Sequence, residues 1–328
     1  MKTSIIIVAY NSEKDIVRAL DSVFETTPGD NWEIILVENK STDKTLEVIE
    51  KYLQSPDDNL RLKIKLIKSN KNLGFGGGCN LGTAQAEGEL LIFLNPDTLT
   101  RPGWLAPIVS KFEKDDKTGV LGPKILYEDE KTIQAAGGWV EGAGFAHHFG
   151  YGEEDNGQWD EEKEVDYVTG ACLAIRKKIY EKCLGFDENY FPGYYEETEL
   201  CLKTKNLGYR VIYFPESSII HLESRVIGLF SYNYYHWFHK HRWRYVLKNF
   251  PAGRIFFSAI PFEIKWLLNN FVKKVNLLPR QKETAAGKNI LESKKKDNRE
   301  LKALLKAYFL TLFKLPNILY YRYFKYYA

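Results

Sequence analysis

The sequence predicts an α/β protein: a doubly wound, mostly parallel sheet followed by a C-terminal helical extension. Strand and helix patterns alternate through the first 70 residues, which is the arrangement of doubly wound sheets. Residues 90–94 (LLIFL) are apolar without interruption, as expected of a strand buried on both faces. From residue 226 onward the chain becomes basic and aromatic with helical periodicity. We therefore expect an α/β domain over residues 1–225 and a helical extension over residues 226–328.

The N-terminal strands follow from runs of apolar residues. The first strand is predicted over residues 3–10 (TSIIIVAY), and apolar residues at helical spacing follow it between Ile16 and Phe24. A second strand is expected over residues 33–39 and a third over residues 62–68. Because the third strand alternates between polar and apolar residues, we expect it nearer an edge of the sheet.

Two connections lead from these strands into helices. After the second strand, Ser41 or Thr42 is expected to cap a helix that begins near Asp43. After the third, a glycine-rich loop over residues 70–80 is expected to lead into an alanine-rich helix that ends near Ala86. Its glycines permit close approach to a ligand and its N–H groups favour an anion, although a plain structural turn explains the composition equally well. The loop matches neither the P-loop nor the dinucleotide fingerprint.

The run from Glu89 to Asp97 ends abruptly in Asn-Pro-Asp. Pro96 cannot donate to a strand ladder, so the strand must end there. Asp97 is thereby placed at the carboxyl end of a central strand, where open α/β sheets bind their ligands. A carboxylate at this edge suits a divalent cation and, through it, a diphosphate. The alternative is that Asp97 only opens the turn.

The composition, 44% hydrophobic and 27% charged, is ordinary for a globular protein with a core. Four cysteines without a C-x-x-C pair argue against a disulfide framework or zinc site and for a reducing compartment. The N-terminal apolar run is too short for a signal peptide, so we expect the protein in the cytosol. The net charge of +3 hides an asymmetry, because residues 226–328 hold 20 basic and 5 acidic residues whereas residues 1–225 hold 26 and 38.

This basic, aromatic C-terminal third predicts an anionic surface as its partner. Helical patterns occupy residues 231–250 and 301–315, and a polar, basic linker is expected over residues 279–298. No uncharged run reaches the ~20 residues that a spanning helix needs, so the helices are expected to lie in the plane of a membrane interface. Nucleic-acid binding is the less favoured alternative, and packing on the core or a dimer contact is the purely structural one.

Several motifs occur in a fixed order. The first half contains V-A-Y-N at 8–11, V-E-N-x-S-x-D at 37–43, N-x-G-F-G-x-x-x-N-x-G at 72–82 and N-P-D at 95–97. The second half contains G-A-C at 170–172, Arg176, G-F-D-E at 185–188, Y-E-E-T-E-L-C at 195–201, Gly208 and His221. Over residues 3–225 this combination resembles family 2 glycosyltransferases of the GT-A fold, in particular the bacterial rhamnosyltransferase-like enzymes that build cell-surface polysaccharides.

The resemblance implies that the ends of the first strands hold a nucleotide-diphosphate sugar. The implied nucleotide-binding residues are Ala9, Tyr10, Asn11, Glu38, Asn39, Asn72, Gly74, Phe75, Asn80 and Asn95. Asp97 and His221 are the implied ligands of a divalent cation, Mg²⁺ or Mn²⁺, that would bridge the two phosphates. The chain departs from the family pattern at Glu38, where Asp is usual, and at Asn95, where many members carry the first acid of D-x-D. Without the resemblance, Asn11 could simply cap a helix, and His221 could be a hydrogen-bonded core residue.

The acidic cluster Glu196-Glu197-Thr198-Glu199 precedes an apolar helix. The helix dipole alone favours acids in a first turn. However, repulsion among three close carboxylates is expected to raise at least one pKa towards that of a general base at neutral pH. The resemblance implies that Glu197 is this base, with Glu196 the second choice, and that direct attack by the activated hydroxyl inverts the anomeric centre.

Acceptor residues are less well defined by the sequence. The glycine-rich, acidic segment 128–164 is of the kind that forms binding loops or is disordered. Its aromatic and imidazole side chains are candidates to meet the sugar or acceptor, and we expect Trp139 to line the acceptor side; the others are Phe145, His147 and His148. Gly170, Ala171 and Glu199 are further acceptor candidates from the resemblance.

The expected function is that of an inverting, metal-dependent glycosyltransferase on the inner face of the cell membrane. Its partners would be a dTDP- or UDP-sugar, plausibly with L-rhamnose, a lipid-linked glycan acceptor and the anionic membrane surface. Homo-oligomers are compatible with the sequence, and nucleic acid is not expected. The alternative is a non-catalytic nucleotide-sugar-binding or scaffold protein of a glycan assembly complex. A dehydrogenase is disfavoured because the first-turn dinucleotide fingerprint is missing.

Overall fold

A computed structural model describes residues 1–54, 62–223, 231–273 and 299–323. The chain divides into two compact units, one formed by Met1–Gly138 with His148–Val226 and the other by Trp139–His147 with Ile227–Ala328. The domain boundary expected at residue 225 and the linker expected over residues 279–298 fall outside the described residues.

The strands alternate with helices at the N-terminus and cluster after the middle of the chain. They are β1 (Thr3–Ala9), β2 (Trp32–Glu38), β3 (Ile64–Lys68), β4 (Leu90–Leu94), β5 (Thr98–Thr100), β6 (Thr118–Leu126), β7 (Ile133–Ala135), β8 (Gly138–Val140), β9 (Ala146–His148), β10 (Lys163–Glu164), β11 (Cys172–Arg176) and β12 (Arg210–His221). Every residue of β1, β4 and β11 is buried. Such strands lie inside a sheet that is covered on both faces.

In the described part of the chain, ten strands form one mixed sheet with the order β10-β12-β6-β11-β4-β1-β2-β3, to which β5 and β7 add at β12 and β6. Strand β1 is parallel to β2 and to β4, and β2 is parallel to β3. Strand β12 is parallel to β6. Strand β11 is antiparallel to both β4 and β6. The predicted α/β fold with a mostly parallel sheet is therefore confirmed, and β3 lies at an edge as expected.

The helices of the first unit cover this sheet. They are α1 (Ile16–Thr26), α2 (Thr45–Leu53), α3 (Gly74–Thr83), α4 (Leu105–Lys114), α5 (Lys177–Lys182) and α6 (Glu196–Asn206), with a 3₁₀ turn at Glu188–Tyr190. Helix α1 shows the pattern, because Ile16, Leu20 and Val23 are fully buried in the same core as Ile5 and Leu36. Burying one such side chain contributes about 1.5–3 kcal/mol.

The glycine-rich segment is a helix rather than the predicted loop, since α3 spans Gly74–Thr83 and buries most of its glycines. A Cβ at position 78 would lie only 2.5 Å from Cγ1 of Val8 on strand β1. Glycine costs about 1 kcal/mol per residue in a helix interior, but here it lets the helix backbone approach the sheet. Packing against β1 therefore outweighs the low helix propensity.

The expected cap of α2 is also wrong. The helix begins at Thr45, with Lys44 rather than Ser41 or Thr42 at the cap position. The side chain of Asp43 accepts a hydrogen bond from the Thr45 backbone N–H at 3.0 Å. The hydroxyl of Ser41 instead accepts from the backbone N–H of Asn11. Ser41 therefore joins the loop after β2 to the loop after β1 and does not cap the helix.

The segment 128–164 consists mostly of turns and loops, as expected, and it also contributes four short strands. Strand β7 pairs with β6, and β10 pairs with β12. The Lys124 ammonium, on β6, lies 2.9 Å from a carboxylate oxygen of Asp155 and also contacts Asp160. Because Lys124 is buried, these carboxylates provide the partners that a buried charge requires.

The second unit contains most of the paired strands β8 and β9 and four helices of the described residues. The helices are α7 (Tyr232–Asn249), α8 (Ile260–Lys273), α9 (Arg299–Phe313) and α10 (Leu315–Tyr323), and short turns at Ala252–Arg254 and Ile255–Ala259 precede α8. The predicted helical C-terminal region is confirmed. Among the described residues, every helix is too short or too polar to cross a bilayer.

Candidate active site

The ends of β1 and β2 are joined through their loops. Ala9 is fully buried and its carbonyl accepts a hydrogen bond from the backbone N–H of Asn39 at 2.8 Å. Tyr10 is half-buried. Asn11 has a φ of +51°, and its side-chain oxygen accepts from the backbone N–H of Thr42 at 2.8 Å. The predicted nucleotide contacts thus begin at two loops that are already fixed to each other.

Glu38 and Asn39 are both almost fully buried. The Glu38 carboxylate accepts a hydrogen bond from the Ser41 backbone N–H at 2.6 Å. The Asn39 side chain accepts from the Leu73 N–H at 2.9 Å and donates to the Gly74 carbonyl at 3.1 Å. These bonds position the loops, and direct contact with a nucleotide stays a prediction for both residues.

The start of α3 is held in one conformation. The Asn72 side chain accepts from the Gly74 N–H at 2.8 Å. Gly74 has a φ of +70°, and a Cβ there would lie 2.9 Å from both Phe191 and the Pro192 carbonyl oxygen. Only glycine fits at this position. The backbone N–H of Phe75 donates to the same Pro192 carbonyl at 2.9 Å.

Contacts continue from α3 to the end of β4. A Cβ at Gly170 would lie 3.2 Å from the Phe75 ring, and the carbonyl of the adjacent, buried Ala171 accepts from the Asn95 N–H at 3.0 Å. Phe75, Gly170, Ala171 and Asn95 are therefore brought together.

Asn80 lies farther along α3 and makes four hydrogen bonds within the protein. It donates to the Phe186 carbonyl and Glu188 carboxylate at 3.0 and 3.1 Å. It accepts from the Tyr180 hydroxyl and Phe186 N–H at 2.6 and 3.0 Å. An amide side chain can make four such bonds, so Asn80 connects α3 to residues 186–188 and all of its hydrogen-bonding capacity is used. Its contact with a nucleotide stays a prediction.

Asp97 and His221 are brought together by strand pairing. In the antiparallel pair of β5 and β12, His221 lies opposite Thr98, and the Leu222 N–H donates to the Asp97 carbonyl at 2.9 Å. His221 Nε2 lies 3.2 Å from Asp97 Oδ1 and 3.4 Å from Asn95 Nδ2. The buried carboxylate and the imidazole thus meet at the carboxyl end of β4.

Gln134, on β7, is a site residue that sequence reasoning missed. Its side-chain oxygen lies 2.7 Å from His221 Nδ1. Because an amide oxygen only accepts, Nδ1 donates to Gln134, and Nε2 is the ring nitrogen that faces Asp97. The only signal in the sequence is a polar residue within a short buried strand, between Ile133 and Ala135.

This arrangement fits a divalent cation. The Asp97 carboxylate and Nε2 of His221 lie 3.2 Å apart, and carboxylate and imidazole groups are both ligand types that bind divalent cations such as Mn²⁺. No cluster of three or more His, Cys, Asp or Glu suited to a metal occurs among the residues the structure describes. The pair would therefore supply two ligands and leave the remaining positions to phosphate oxygens and water. Asp15 is a further acid near this pair that sequence reasoning missed. Burial and the negative charge of Asp97 raise its pKa.

The glutamates of the acidic cluster lie at the start of α6. Tyr194 and Tyr195 before it have φ of +77° and +75°, a conformation that costs about 1–3 kcal/mol per residue. Burial, then the charge of Glu197, raises the pKa of Glu196 well above its usual range. Within the described structure its Oε2 is buried without a hydrogen-bond partner. The start of α6 also contacts α3, since a Cβ at Gly76 would lie 3.8 Å from Glu196 Cβ.

Glu197 is half-buried, and burial raises its pKa to about 7. The expected repulsion among carboxylates contributes at Glu196, through the charge of Glu197, but loss of solvent is the larger cause at both residues. Glu199 is fully buried, accepts from the Tyr190 hydroxyl at 3.3 Å and lies 3.5 Å from the Lys203 ammonium. Its predicted acceptor contact remains a prediction.

The remaining acceptor candidates belong mostly to the second unit. Trp139 is 37% exposed, and its ring stacks on His147 with centroids 4.9 Å apart. Phe145 is fully buried and packs on Trp266 and on the guanidinium of Arg242, so it is a core residue rather than an acceptor contact. The role of Trp139 stays a prediction.

The family model "Glycosyl transferase family 2" matches residues 4–184. The chain is 32% identical over 237 residues to the O-antigen biosynthesis protein RfbC of Myxococcus xanthus. The matched region covers 67% of this chain and 17% of that protein. The chain spans 17%, 25% and 41% of the length of the first three curated relatives that it matches.

Two solved structures share the fold. GalNAc-T7 with UDP, GalNAc and Mn²⁺ matches with a TM-score of 0.62 at 18% identity, over 89% of this chain and 54% of that one. The mannosyltransferase PcManGT of Pyrobaculum calidifontis, in complex with GDP-Man and Mn²⁺, matches with a TM-score of 0.58 at 14% identity, over 95% and 87%. The first unit thus has a GT-A type fold, and the family model covers more than half of the chain. The chain belongs to glycosyltransferase family 2.

Proposed function

We propose that this chain transfers a sugar from a nucleoside-diphosphate sugar to an acceptor hydroxyl with inversion at the anomeric carbon. The observation that carries the proposal is the meeting of Asp97 and His221 at 3.2 Å at the carboxyl end of β4, and the carboxyl of Glu197, whose pKa burial raises to about 7, supplies a candidate base. At neutral pH a carboxyl with such a pKa is deprotonated in about half of the molecules, and its carboxylate is basic enough to accept a proton. The fold and the family membership support a glycosyl donor as its substrate.

In the proposed reaction, Glu197 accepts the proton of the acceptor hydroxyl. The acceptor oxygen forms a bond to the anomeric carbon as the bond from that carbon to the diphosphate breaks. The nucleoside diphosphate leaves with the electron pair of the broken bond. Attack from the face opposite the leaving group inverts the configuration.

Asp97 and His221 would hold the divalent cation, with Gln134 fixing the ring of His221. When bound, such a cation offsets the negative charge of the departing diphosphate. Mn²⁺ suits a carboxylate and an imidazole ligand, and Mg²⁺ is the alternative for an oxygen-rich site. The solved structures of similar fold that hold Mn²⁺ with a nucleotide or nucleotide sugar support this assignment.

The proposed donor is a dTDP- or UDP-sugar with L-rhamnose, and the proposed acceptor is a lipid-linked precursor of a cell-surface polysaccharide. The sequence motifs support the donor, and the relative named an O-antigen biosynthesis protein supports the acceptor class. The first experiment is a thermal-shift screen of nucleotide sugars with Mn²⁺ on the whole chain, because a bound donor stabilises the fold by mass action.

Release of nucleoside diphosphate from the donor that binds then separates an enzyme from a scaffold. We expect turnover by the wild type and by Glu181→Gln, an exposed control, and loss of turnover in Asp97→Asn and Glu197→Gln. Binding of a donor with no turnover in any acceptor mixture, or equal turnover in Glu197→Gln, would overturn the proposal.

A further inference from the structure

The second unit buries charge among its helices. Arg242 is fully buried, and its guanidinium lies 2.7 Å from the carboxylate of Glu263 and donates to the Ala143 carbonyl at 2.9 Å. Tyr308 also donates to Glu263. His239 is fully buried, and burial lowers its pKa well below the usual range. The interior of this unit is therefore unusually polar.

The outer side of the same helices is apolar. Around α8, the exposed residues Phe257, Pro261, Ile264 and Leu268 are spaced by 4, 3 and 4 positions, which places them along one side of a helix. Phe257 is 88% exposed. This stripe lies away from the buried Glu263.

Helix α9 repeats the pattern. Leu305, Phe309, Leu312 and Phe313 are all more than half exposed and fall on one side of the helix, while Ala303, Ala307 and Thr311 on the other side are buried. Of the 17 large apolar or aromatic side chains that are exposed among the described residues, 12 lie between Phe256 and Tyr323. A soluble surface rarely concentrates apolar groups in this way.

We propose that these two faces, the apolar faces of α8 and α9, insert into the interfacial region of an anionic lipid bilayer. The charges beside them favour lipid over protein, because Lys265, Lys302 and Lys306 are exposed between the apolar residues. Lysine is depleted at protein interfaces, whereas basic residues next to aromatic ones are typical of helices that lie in a membrane surface. The proposal concerns membrane attachment and holds whether or not the site transfers sugar.

Vesicle flotation of the whole chain tests the proposal. We expect binding to vesicles of phosphatidylcholine with phosphatidylglycerol, and weaker binding to phosphatidylcholine alone, since basic residues are attracted to an anionic surface. The triple variant Phe257→Ser/Phe309→Ser/Phe313→Ser should bind at least about 100-fold more weakly, because three aromatic rings no longer leave water on binding.

The matched control is Leu62→Ser/Leu207→Ser, which removes exposed apolar residues of the first unit and should bind as the wild type does. Lys302→Gln/Lys306→Gln should lose about tenfold or more on anionic vesicles only. The triple variant changes only exposed side chains, and an unchanged unfolding curve verifies that it folds. Equal flotation of the triple variant and the wild type would overturn the proposal. So would a dimer in solution that the triple variant dissociates, without any flotation of the wild type, because the faces would then join two copies of the chain.

Discussion

The two units of this chain distribute polarity in opposite ways. In the first, apolar strands fill the interior, and the buried acids of the site, such as Asp97 and Glu196, follow the end of a strand or begin a helix. In the second, Arg242 and Glu263 pair in the interior while Phe257 and Phe313 are exposed. Burial alone therefore does not identify a reactive site, since both units bury charged groups.

What separates the two kinds of buried charge is whether an opposite charge lies beside it. Arg242 and Glu263 neutralise each other at 2.7 Å, which makes them part of the fold. Glu196 instead lies beside the like charge of Glu197, and burial raises the pKa of both carboxyls. A group left without compensation is the one whose proton can be exchanged usefully.

The largest expected effect is on catalysis. Glu197→Gln should lower turnover about 10³-fold, because the amide cannot accept a proton, while the shift in melting temperature caused by the nucleotide sugar stays the same. Initial rates of nucleoside diphosphate release, measured beside the exposed control Glu181→Gln, check this. A variant that retains more than a tenth of the turnover would assign the base elsewhere.

The next effect is on stability and belongs to the second unit. Glu263→Gln should reduce the free energy of unfolding by about 3–5 kcal/mol, because it leaves the Arg242 guanidinium buried without its charge partner. Denaturant unfolding followed by tryptophan fluorescence measures it. The comparison variant Phe257→Ser should change stability by no more than about 0.5 kcal/mol, although it removes a much larger apolar group. If Phe257→Ser were the more damaging change, the assignment of inside and outside in this unit would be wrong.

A smaller effect is expected at the cation pair. Gln134→Leu should weaken Mn²⁺ binding by about 10–100-fold, because the partner that orients a ligating histidine is lost. Gln134→Glu keeps an acceptor for His221 Nδ1 and should retain most of the affinity. Titration of free Mn²⁺ by electron paramagnetic resonance reads binding without any turnover. Equal affinities for all three proteins would show that His221 needs no such support or does not bind the cation.

Much of the first unit was predictable because its strands are uninterrupted apolar runs. Residues 90–94 are five consecutive apolar residues, which predicts a buried strand, and Pro96 determines where the strand ends. The segment from Gly74 to Thr83 was not predictable in this way, because local propensity disfavours a helix of glycines. Its helical form depends on the close approach of Gly78 to Val8, and no local pattern encodes that contact.

In the candidate site, too, local motifs were predictable and contacts between distant segments were not. Asp97 at a strand end follows from the sequence, and His221 follows from the family motif. Gln134 could not be found, since it reaches His221 only through the pairing of β7 with β6. The conformation of Tyr194 and Tyr195 and the burial of Glu197 likewise depend on packing between distant segments. The sequence therefore predicts only the contribution of neighbouring charges to the pKa values of the cluster, and not the larger contribution of burial.

The central claim is that burial makes Glu197 a base suited to neutral pH, and the pH dependence of turnover tests it most directly. With donor and Mn²⁺ saturating, the rate should rise about tenfold per pH unit below a pKa of about 7 and level off above it, because only the deprotonated carboxylate accepts the proton. A glutamate with the ordinary pKa of about 4.3 would give a flat profile between about pH 5.5 and pH 8. The account predicts the rise through neutrality, and a flat profile over that range would contradict it.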